Sequence, residues 1–256
     1  MKIALFSDVH GNLPALEAVL ADIEAQQVDV CYCLGDLVDF APWPNEVIDL
    51  LRRRNVLVIQ GNHDAGIGAH RADFPYSYRT AAEEAAGRQA IACTNAAITD
   101  RNRAYLRTLP HNLLLDAGQQ PPYLRVLLTH GSPADVNQYI TPDYDAEGML
   151  ELLEEYGANI LCMGHTHRPY HRVLATAQAN QPAFKHTINV GSVGQPKDGD
   201  PRATWCLLEL TEASTLAAAD SVRVQHYRVA YDLARTVAAI QASAIPGLYA
   251  EALPRA

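Results

Sequence analysis

The sequence predicts an α/β protein: a parallel sheet built from βαβ units, followed by a second, largely antiparallel sheet. Three observations predict it. Short apolar runs at Lys2 to Ser7, Val30 to Leu34 and Val56 to Gln60 alternate with stretches of helical spacing, the pattern of parallel strands joined by right-handed crossovers. Each run leads into a turn carrying Asp, His or Asn, where ligands and catalytic groups collect in such sheets. After His171 the segments are β-rich and no longer alternate with helices.

Lys2 to Ser7 runs into Asp8-Val9-His10-Gly11-Asn12, after which Leu13 to Gln26 carries apolar residues at helical spacing. Asn12 can cap that helix, and Pro14 falls in its first turn, where a missing amide hydrogen costs nothing. Val30 to Leu34 is a buried-type strand. It is followed by Gly35-Asp36-Leu37-Val38-Asp39, a turn at Pro42 and Pro44, and a second helix to Arg54. Val56 to Gln60 delivers Gly61-Asn62-His63-Asp64 just past its carboxyl end. From Ala65 to Leu109 the chain is Ala-rich, with helices expected near Tyr76 to Thr94 and Asp100 to Thr108. His70, Arg71, Tyr76 and Arg79 are the polar residues of that excursion that could wall a site.

Asn112 to Asp116 and Tyr123 to Thr129 read as a strand pair, the second reaching Thr129-His130-Gly131-Ser132-Pro133. Asp145 to Tyr156 is an amphipathic helix ending at Gly157, with Glu147, Glu151, Glu154 and Glu155 on its solvated face. Ile160 to Met163 leads into Gly164-His165-Thr166-His167. His171 to Thr176, Phe184 to Val190, Thr204 to Leu210 and Ser221 to Val229 are expected to build the second sheet. Gly191 to Arg202 between them is too rich in turn formers to be a strand. Asp232 can cap a last helix through Gln241, and Pro246 begins a short tail helix. No repeat or linker divides the chain, so residues 1–256 read as one domain with a helical excursion at about 65–110.

The formal net charge is -9 at pH 7, and the one cationic run is Arg52-Arg53-Arg54. That argues against a groove tracking a nucleic-acid backbone. Five cysteines are scattered through expected strands and a helix, as reduced, buried thiols would be, and a cytoplasmic protein is the simplest reading. Cys31 and Cys33 flank Tyr32 in one strand, so both thiols face the same side and fill the core. Met1-Lys2-Ile3 opens straight into a strand without the pattern of an export signal, and no apolar run approaches the ~20 residues of a membrane span.

Asp8, His10, Asp36, Asn62, His130, His165 and His167 together offer seven hard or borderline ligands without a thiolate. Such a set suits Mn, Fe or Zn better than Ca or Mg, which prefer oxygen alone. Seven exceed what one catalytic ion needs, so two ions sharing a carboxylate are the economical reading, with Asp36 the natural bridge. Two ions ~3.5–4 Å apart can bind a phosphate, lower the pKa of a shared water and stabilise attacking and leaving oxygens in line. That is phosphoester hydrolysis. His70, His111, His171, His186 and His226 match no motif and are assigned structural roles.

Through Asp8-Val9-His10, Gly35-Asp36-Leu37-Val38-Asp39, Gly61-Asn62-His63-Asp64, Thr129-His130 and Gly164-His165-Thr166-His167, in that order, the sequence resembles the calcineurin-like metallophosphoesterases. It is most similar to their small bacterial and archaeal phosphodiesterase branch, and the resemblance extends to Gly191 to Arg202 and Tyr231 to Leu253. The resemblance implies a four-layer αββα sandwich, two facing mixed β-sheets flanked by helices. It further implies that Asp8, His10 and His167 hold one ion, that Asn62, His130 and His165 hold the other, and that Asp36 bridges them. By the same resemblance a bridging hydroxide attacks, His63 protonates the leaving group, and Asp64 orients His63. The substrate implied is a small phosphodiester or phosphomonoester, including nucleotides such as dinucleoside polyphosphates or cyclic nucleotides; no residue selects the base or the oligomeric state.

The chain departs from the family's protein-phosphatase branch at Asp39-Phe40-Ala41, where that branch carries Arg-Gly after the Asp. This weighs against protein phosphatase activity, and Lys197 or Arg202 could replace the missing charge. A nuclease of the superfamily would be expected to carry basic surface. Some chains of this fold, such as the retromer scaffold subunit, resemble the enzymes but serve as binding modules and lose metal ligands; here no ligand position is replaced.

Overall fold

Three βα repeats open the chain as expected. β1 (Lys2–Phe6), α1 (Leu13–Ala25), β2 (Val30–Cys33), α2 (Pro44–Arg53) and β3 (Leu57–Val58) follow in order, and the three strands pair in parallel. The structure is a computed structural model describing residues 1–74, 80–117, 124–178 and 181–255, with backbone alone at 177, 178, 181 and 182. α1 starts where its sequence dictates: the Asn12 side chain accepts from the Ala15 amide at 3.3 Å, with proline in the first turn. β3 is shorter than the expected Val56 to Gln60 because Gln60 leaves the sheet. Its amide donates to Pro110 O at 2.7 Å and its side chain to Leu106 O at 2.7 Å.

The helical excursion comprises α3 (Asn62–Gly68), α4 (Ala81–Ala97) and α5 (Asp100–Leu106). α3 was not foreseen: Asn62, His63 and Asp64 form its first turn rather than a loop. α4 begins after Thr80, whose hydroxyl accepts from the Glu83 amide at 3.1 Å. The expected start at Tyr76, and Arg79 with it, lies outside the described residues, as does Tyr123.

β4 (Asn112–Ala117), β5 (Leu124–Thr129), α6 (Ala146–Glu155), β6 (Ile160–Met163), β7 (Tyr170–Gln178), β8 (Gln181–Asn189), β9 (Ala203–Glu209), β10 (Arg223–Val229), α7 (Leu233–Gln241) and α8 (Gly247–Ala252) complete the chain, with a 3-10 turn at Leu253–Arg255. The four late strands do not form a sheet of their own. β9 pairs antiparallel with β1 and carries β10, giving the order β10-β9-β1-β2-β3, whereas β7 and β8 join the other sheet in the order β4-β5-β6-β8-β7. The reason is an open edge: β2 occupies one side of β1, and the other side offers unpaired amides and carbonyls that β9 fills. Both sheets are mixed: β1, β2 and β3 run parallel to one edge of the first, with β9 and β10 in antiparallel pairings on the other side, whereas β5, β6 and β8 are the parallel centre of the second, flanked by antiparallel β4 and β7.

The sheets face each other across alternate residues. Ile3, Leu5, Tyr32, Leu34 and Ile59 of the first meet Val126, Leu128, Ile160, Cys162 and Ile188 of the second, as period-two strands require. On the outer face of the first sheet, Ala4, Phe6, Cys33 and Trp205 pack under α1 and α2, with Cys31 beside them. Leu127, Leu161 and Met163 of the second sheet pack under Met149 and Leu153 of α6, whose four glutamates are exposed as expected. Helix, sheet, sheet, helix is the four-layer order. A fourth apolar cluster joins Ala41 to Ile240, Ile245, Ala250 and Leu253, seating the C-terminal helices against the turn after β2. No described helix is long and apolar enough to cross a membrane.

Candidate metal centre

The parallel strands of both sheets end on one site. Beyond β1 and β2 the two loops stay joined amide to carbonyl: Asp8 N to Gly35 O at 2.9 Å, His10 N to Asp36 O at 2.9 Å and Gly11 N to Leu37 O at 2.8 Å. The Gly191 to Arg202 loop is fastened to the same turn by Val193 N to Ser7 O, Gly194 N to Asp8 O and Ser192 Oγ to Asp8 O, each 2.9 Å. Gly35, at φ +98°, permits a close approach of the β3 end, since a Cβ there would lie 2.5 Å from the Gly61 nitrogen. Seven non-glycine residues around the site adopt left-handed backbone: Asp8, His10, Asp36, Asp39, Phe40, His165 and His167. Asp and His tolerate this region; Phe does not, and each such residue costs on the order of 1–3 kcal/mol.

The side chains converge. Asp8 Oδ1 lies 3.2 Å from His167 Nε2 and 3.8 Å from His10 Nε2, and those two nitrogens are 3.1 Å apart. Asp36 Oδ2 lies 3.2 Å from His130 Nε2, 3.8 Å from His10 Nε2 and 3.9 Å from His63 Nε2. Asn62 Oδ1 is 3.1 Å from His130 Nε2. Among the described residues, three buried sets have the spacing to hold a metal ion: Asp8, His10 and His167; Asp36, His130 and His165; and His10, Asp36 and His63. All seven residues that the sequence nominated as ligands are thus gathered, with Asp36 in two of the three sets.

The donor chemistry fits divalent cations. Asp8 Oδ1 is buried without a hydrogen bond, whereas Asp8 Oδ2 accepts from the His165 amide at 3.0 Å. A buried carboxylate oxygen left this way is costly unless a cation takes it. His10, His130 and His167 each turn Nδ1 to a backbone carbonyl, of Val38 at 3.0 Å, Leu34 at 2.7 Å and Gln195 at 2.5 Å. A carbonyl only accepts, so Nδ1 carries the proton and Nε2 keeps its lone pair toward the centre. His165 is reversed: Nε2 faces Asn137 O at 3.1 Å, leaving Nδ1 the lone-pair nitrogen.

Electrostatics agree with that assignment at three of the four histidines. Burial holds His10, His165 and His167 in the neutral form, His165 down to about 3. His130 goes the other way, to about 9: burial opposes protonation, but the Asp36 carboxylate and its hydrogen bond outweigh it. Against the same opposing burial, His167 holds Asp8, and His130 with His63 holds Asp36, well below the ordinary carboxylate range. A cation bound by both Asp36 and His130 would displace a proton from His130.

His63 is buried beside the centre with its Nε2 toward Asp36, but Asp64 does not orient it. Successive helical side chains diverge by about 100°, so Asp64 in α3 points away from the His63 ring. Its Oδ2 accepts from the amides of Asp36 at 2.8 Å and Gly61 at 3.0 Å, and its Oδ1 from Leu37 at 2.9 Å. Asp64 thereby caps α3 and clamps the Asp36 turn. Burial and Asp36 push its pKa up, to about 7. Three amide donors spread over both oxygens nonetheless describe the ionised carboxylate. Asp39 takes the orienting place, with Oδ2 2.7 Å from His63 Nδ1. Burial works against the charged His63, yet Asp36 and the Asp39 hydrogen bond raise its pKa.

Of the cations considered for phosphate, Arg202 is engaged by Asp200, Nη2 to Oδ2 at 2.6 Å. Lys197 lies near enough for its charge to lower the His167 pKa. His70 and Arg71 are exposed. The excursion does wall the site, through a residue the sequence reading passed over: Phe74, buried, edge-on to His63 at 5.4 Å. Phe40, Tyr139 and Tyr249 were also missed. Phe40 lies 4.6 Å from His10 and 4.9 Å from His63, Tyr139 lies 4.1 Å from His165, and Tyr249 stacks on Phe40 at 4.6 Å. A sequence signal existed only for Asp39, the second carboxylate of Gly35-Asp36-Leu37-Val38-Asp39.

Comparison with known proteins agrees with the fold. The sequence model described as calcineurin-like phosphoesterase matches residues 1–169. An uncharacterized protein of Methanocaldococcus jannaschii is 30% identical over 264 residues, covering 98% of this chain and 96% of its own length. Among solved structures, a metallophosphoesterase from Sphaerobacter thermophilus is 30% identical, with 100% of this chain and 99% of that one covered and a TM-score of 0.73. A hypothetical protein from Pyrococcus horikoshii shares the fold at 22% identity, with 98% and 97% covered and a TM-score of 0.77.

Proposed function

This chain belongs to the calcineurin-like phosphoesterase family, and on that premise we propose that it hydrolyses a small phosphodiester or phosphomonoester, nucleotide-like in class, at a centre of two divalent ions. The observation carrying the proposal is the shared Asp36 carboxylate between two histidine sets, with the Asp39–His63 pair facing the same oxygen. In this reading Asp8, His10 and His167 would hold one ion, Asn62, His130 and His165 the other, and Asp36 would serve both. Mn, Fe or Zn suits the mixed nitrogen and oxygen donors.

When bound, such ions supply Lewis acidity to the phosphoryl group and a nucleophilic water at neutral pH. The chain supplies the rest. Asp39 holds the Nδ1 proton of His63 and favours the imidazolium, whose Nε2–H is then available to the departing oxygen. Asp64 keeps the Asp36 turn rigid through three amides. The aromatic rings of Phe40 and Phe74 against His63 limit water beside the donor. Phe40-Ala41 in place of Arg-Gly favours a small substrate over a phosphoprotein, and the net charge of -9 disfavours nucleic acid. The intact ligand set disfavours a scaffold role. Five free cysteines suit a reducing compartment such as the cytoplasm.

Elemental analysis of the purified protein, paired with hydrolysis of bis-p-nitrophenyl phosphate and p-nitrophenyl phosphate under Mn, Fe, Zn or Mg, tests this reading. Two bound transition ions with faster diester turnover are expected. Protein that binds no ion and turns over neither ester would return the scaffold reading.

A further inference from the structure

We propose that Phe40 and Tyr249 are positioning residues for His63: the C-terminal helix α8, by stacking Tyr249 on Phe40, holds the turn that keeps the Asp39 carboxylate on His63 Nδ1. The inference rests on the reading of His63 as proton donor, and it concerns a segment beyond the residues 1–169 that the family model matches.

Asp39 and Phe40 are consecutive left-handed residues, at φ +73° and +67°. A bulky side chain resists that region, so surrounding contacts must impose it. Among the described residues, the backbone ties this turn through Ala41 N, which donates to Asp39 O at 2.9 Å and His10 O at 3.1 Å. The Phe40 ring adds a side-chain restraint. It meets His10 at 4.6 Å and His63 at 4.9 Å on the site side, and Tyr249 covers it at 4.6 Å with the planes 26° apart. Ala41, the next residue, is buried against Ile240, Ile245, Ala250 and Leu253. α8 is thus seated on residues 40 and 41, one residue from the carboxylate that fixes His63. Removing the Tyr249 ring frees Phe40 to relax toward ordinary backbone, and Asp39 turns with it, because the two share a peptide unit. The hydrogen bond of 2.7 Å between Asp39 Oδ2 and His63 Nδ1 is what that rotation breaks first.

The test uses the full-length, metal-loaded protein with Tyr249→Ala and Tyr249→Phe, and two aryl phosphoesters that differ only in their leaving group, p-nitrophenol or phenol. Phenol needs protonation as it leaves; p-nitrophenol scarcely does. Tyr249→Ala should lose roughly tenfold more kcat on the phenyl ester than on the p-nitrophenyl ester, and Tyr249→Phe, which keeps the stack, should restore it. In the metal-free protein the downfield Nδ1–H proton resonance of His63 should be sharp in wild type and Tyr249→Phe and broadened by exchange in Tyr249→Ala. Equal losses on both esters, a change confined to KM, or an unaltered resonance in Tyr249→Ala would each overturn the proposal. A wild-type protein that hydrolyses neither ester would defeat the phosphoesterase reading instead, and the resonance would still decide the positioning role.

Discussion

At the centre, His10 and His167 bring their Nε2 atoms to 3.1 Å; on the β7–β8 hairpin, His171 Nε2 and His186 Nδ1 stand 3.0 Å apart, with the rings stacked at 5.3 Å. Distance alone would make both pairs metal sites. At the centre each Nδ1 is spent on a backbone carbonyl, so the lone pairs point inward onto two carboxylates. On the hairpin, among the described residues, no carboxylate lies within ion-pair distance of either ring, and His186 Nε2 is buried without a partner. His226 nearby turns Nε2 to Asn189 O at 2.8 Å. Close nitrogens make a ligand site when their other nitrogens are anchored and negative charge is present; without these they make a hydrogen bond in a sheet.

The largest effect should come from removing the charge that distinguishes the two groups. Asp36→Asn should lower turnover on the order of 10³-fold or more and reduce bound metal in the same sample. Full activity with both ions retained would remove Asp36 from its shared role. Next, His63→Ala should cost about 10²–10⁴-fold on a phenyl ester and far less on a p-nitrophenyl ester. Asp39→Asn should repeat that selectivity at about tenfold, whereas Asp64→Asn should slow both esters alike, because it moves Asp36 and not the proton donor. If Asp64→Asn gives the selective pattern and Asp39→Asn the uniform one, the two carboxylates have been assigned the wrong way round.

The smallest effect concerns the hairpin pair, where turnover should be unchanged in His186→Leu. Its signature is acid stability. Burial and His171 hold His186 down, to about 4, from the ordinary 6.5. Between those values the unfolded chain binds a proton that the folded chain refuses, so stability falls as pH drops from about 6.5 toward 4. Thermal melts of the metal-free protein should show Tm falling less steeply over that window in His186→Leu than in wild type; parallel slopes would mean that the pair takes up its proton in the folded state.

Sequence carried the candidate ligands and missed their setting. The seven candidate positions were legible because each follows a strand-like run and offers its own donor atom, a local property of the chain. Asp39 and Asp64 were not separable, because which carboxylate reaches the His63 ring depends on the helix that starts at Asn62 and on the turn after β2. The late strands were found as strands, but β9 and β10 were assigned to the wrong sheet, since an open edge on β1 is a tertiary fact. Phe40, Phe74 and Tyr249 carry no motif; only the packing of three separate elements brings them to the histidines.

The most direct test of the account is anomalous diffraction at the manganese edge from crystals of the full chain grown with Mn. Two peaks should appear on either side of the Asp36 carboxylate, one beside Asp8, His10 and His167 and one beside Asn62, His130 and His165, with none at His171 and His186. A peak on the hairpin, or fewer than two at the centre under saturating Mn, would contradict it.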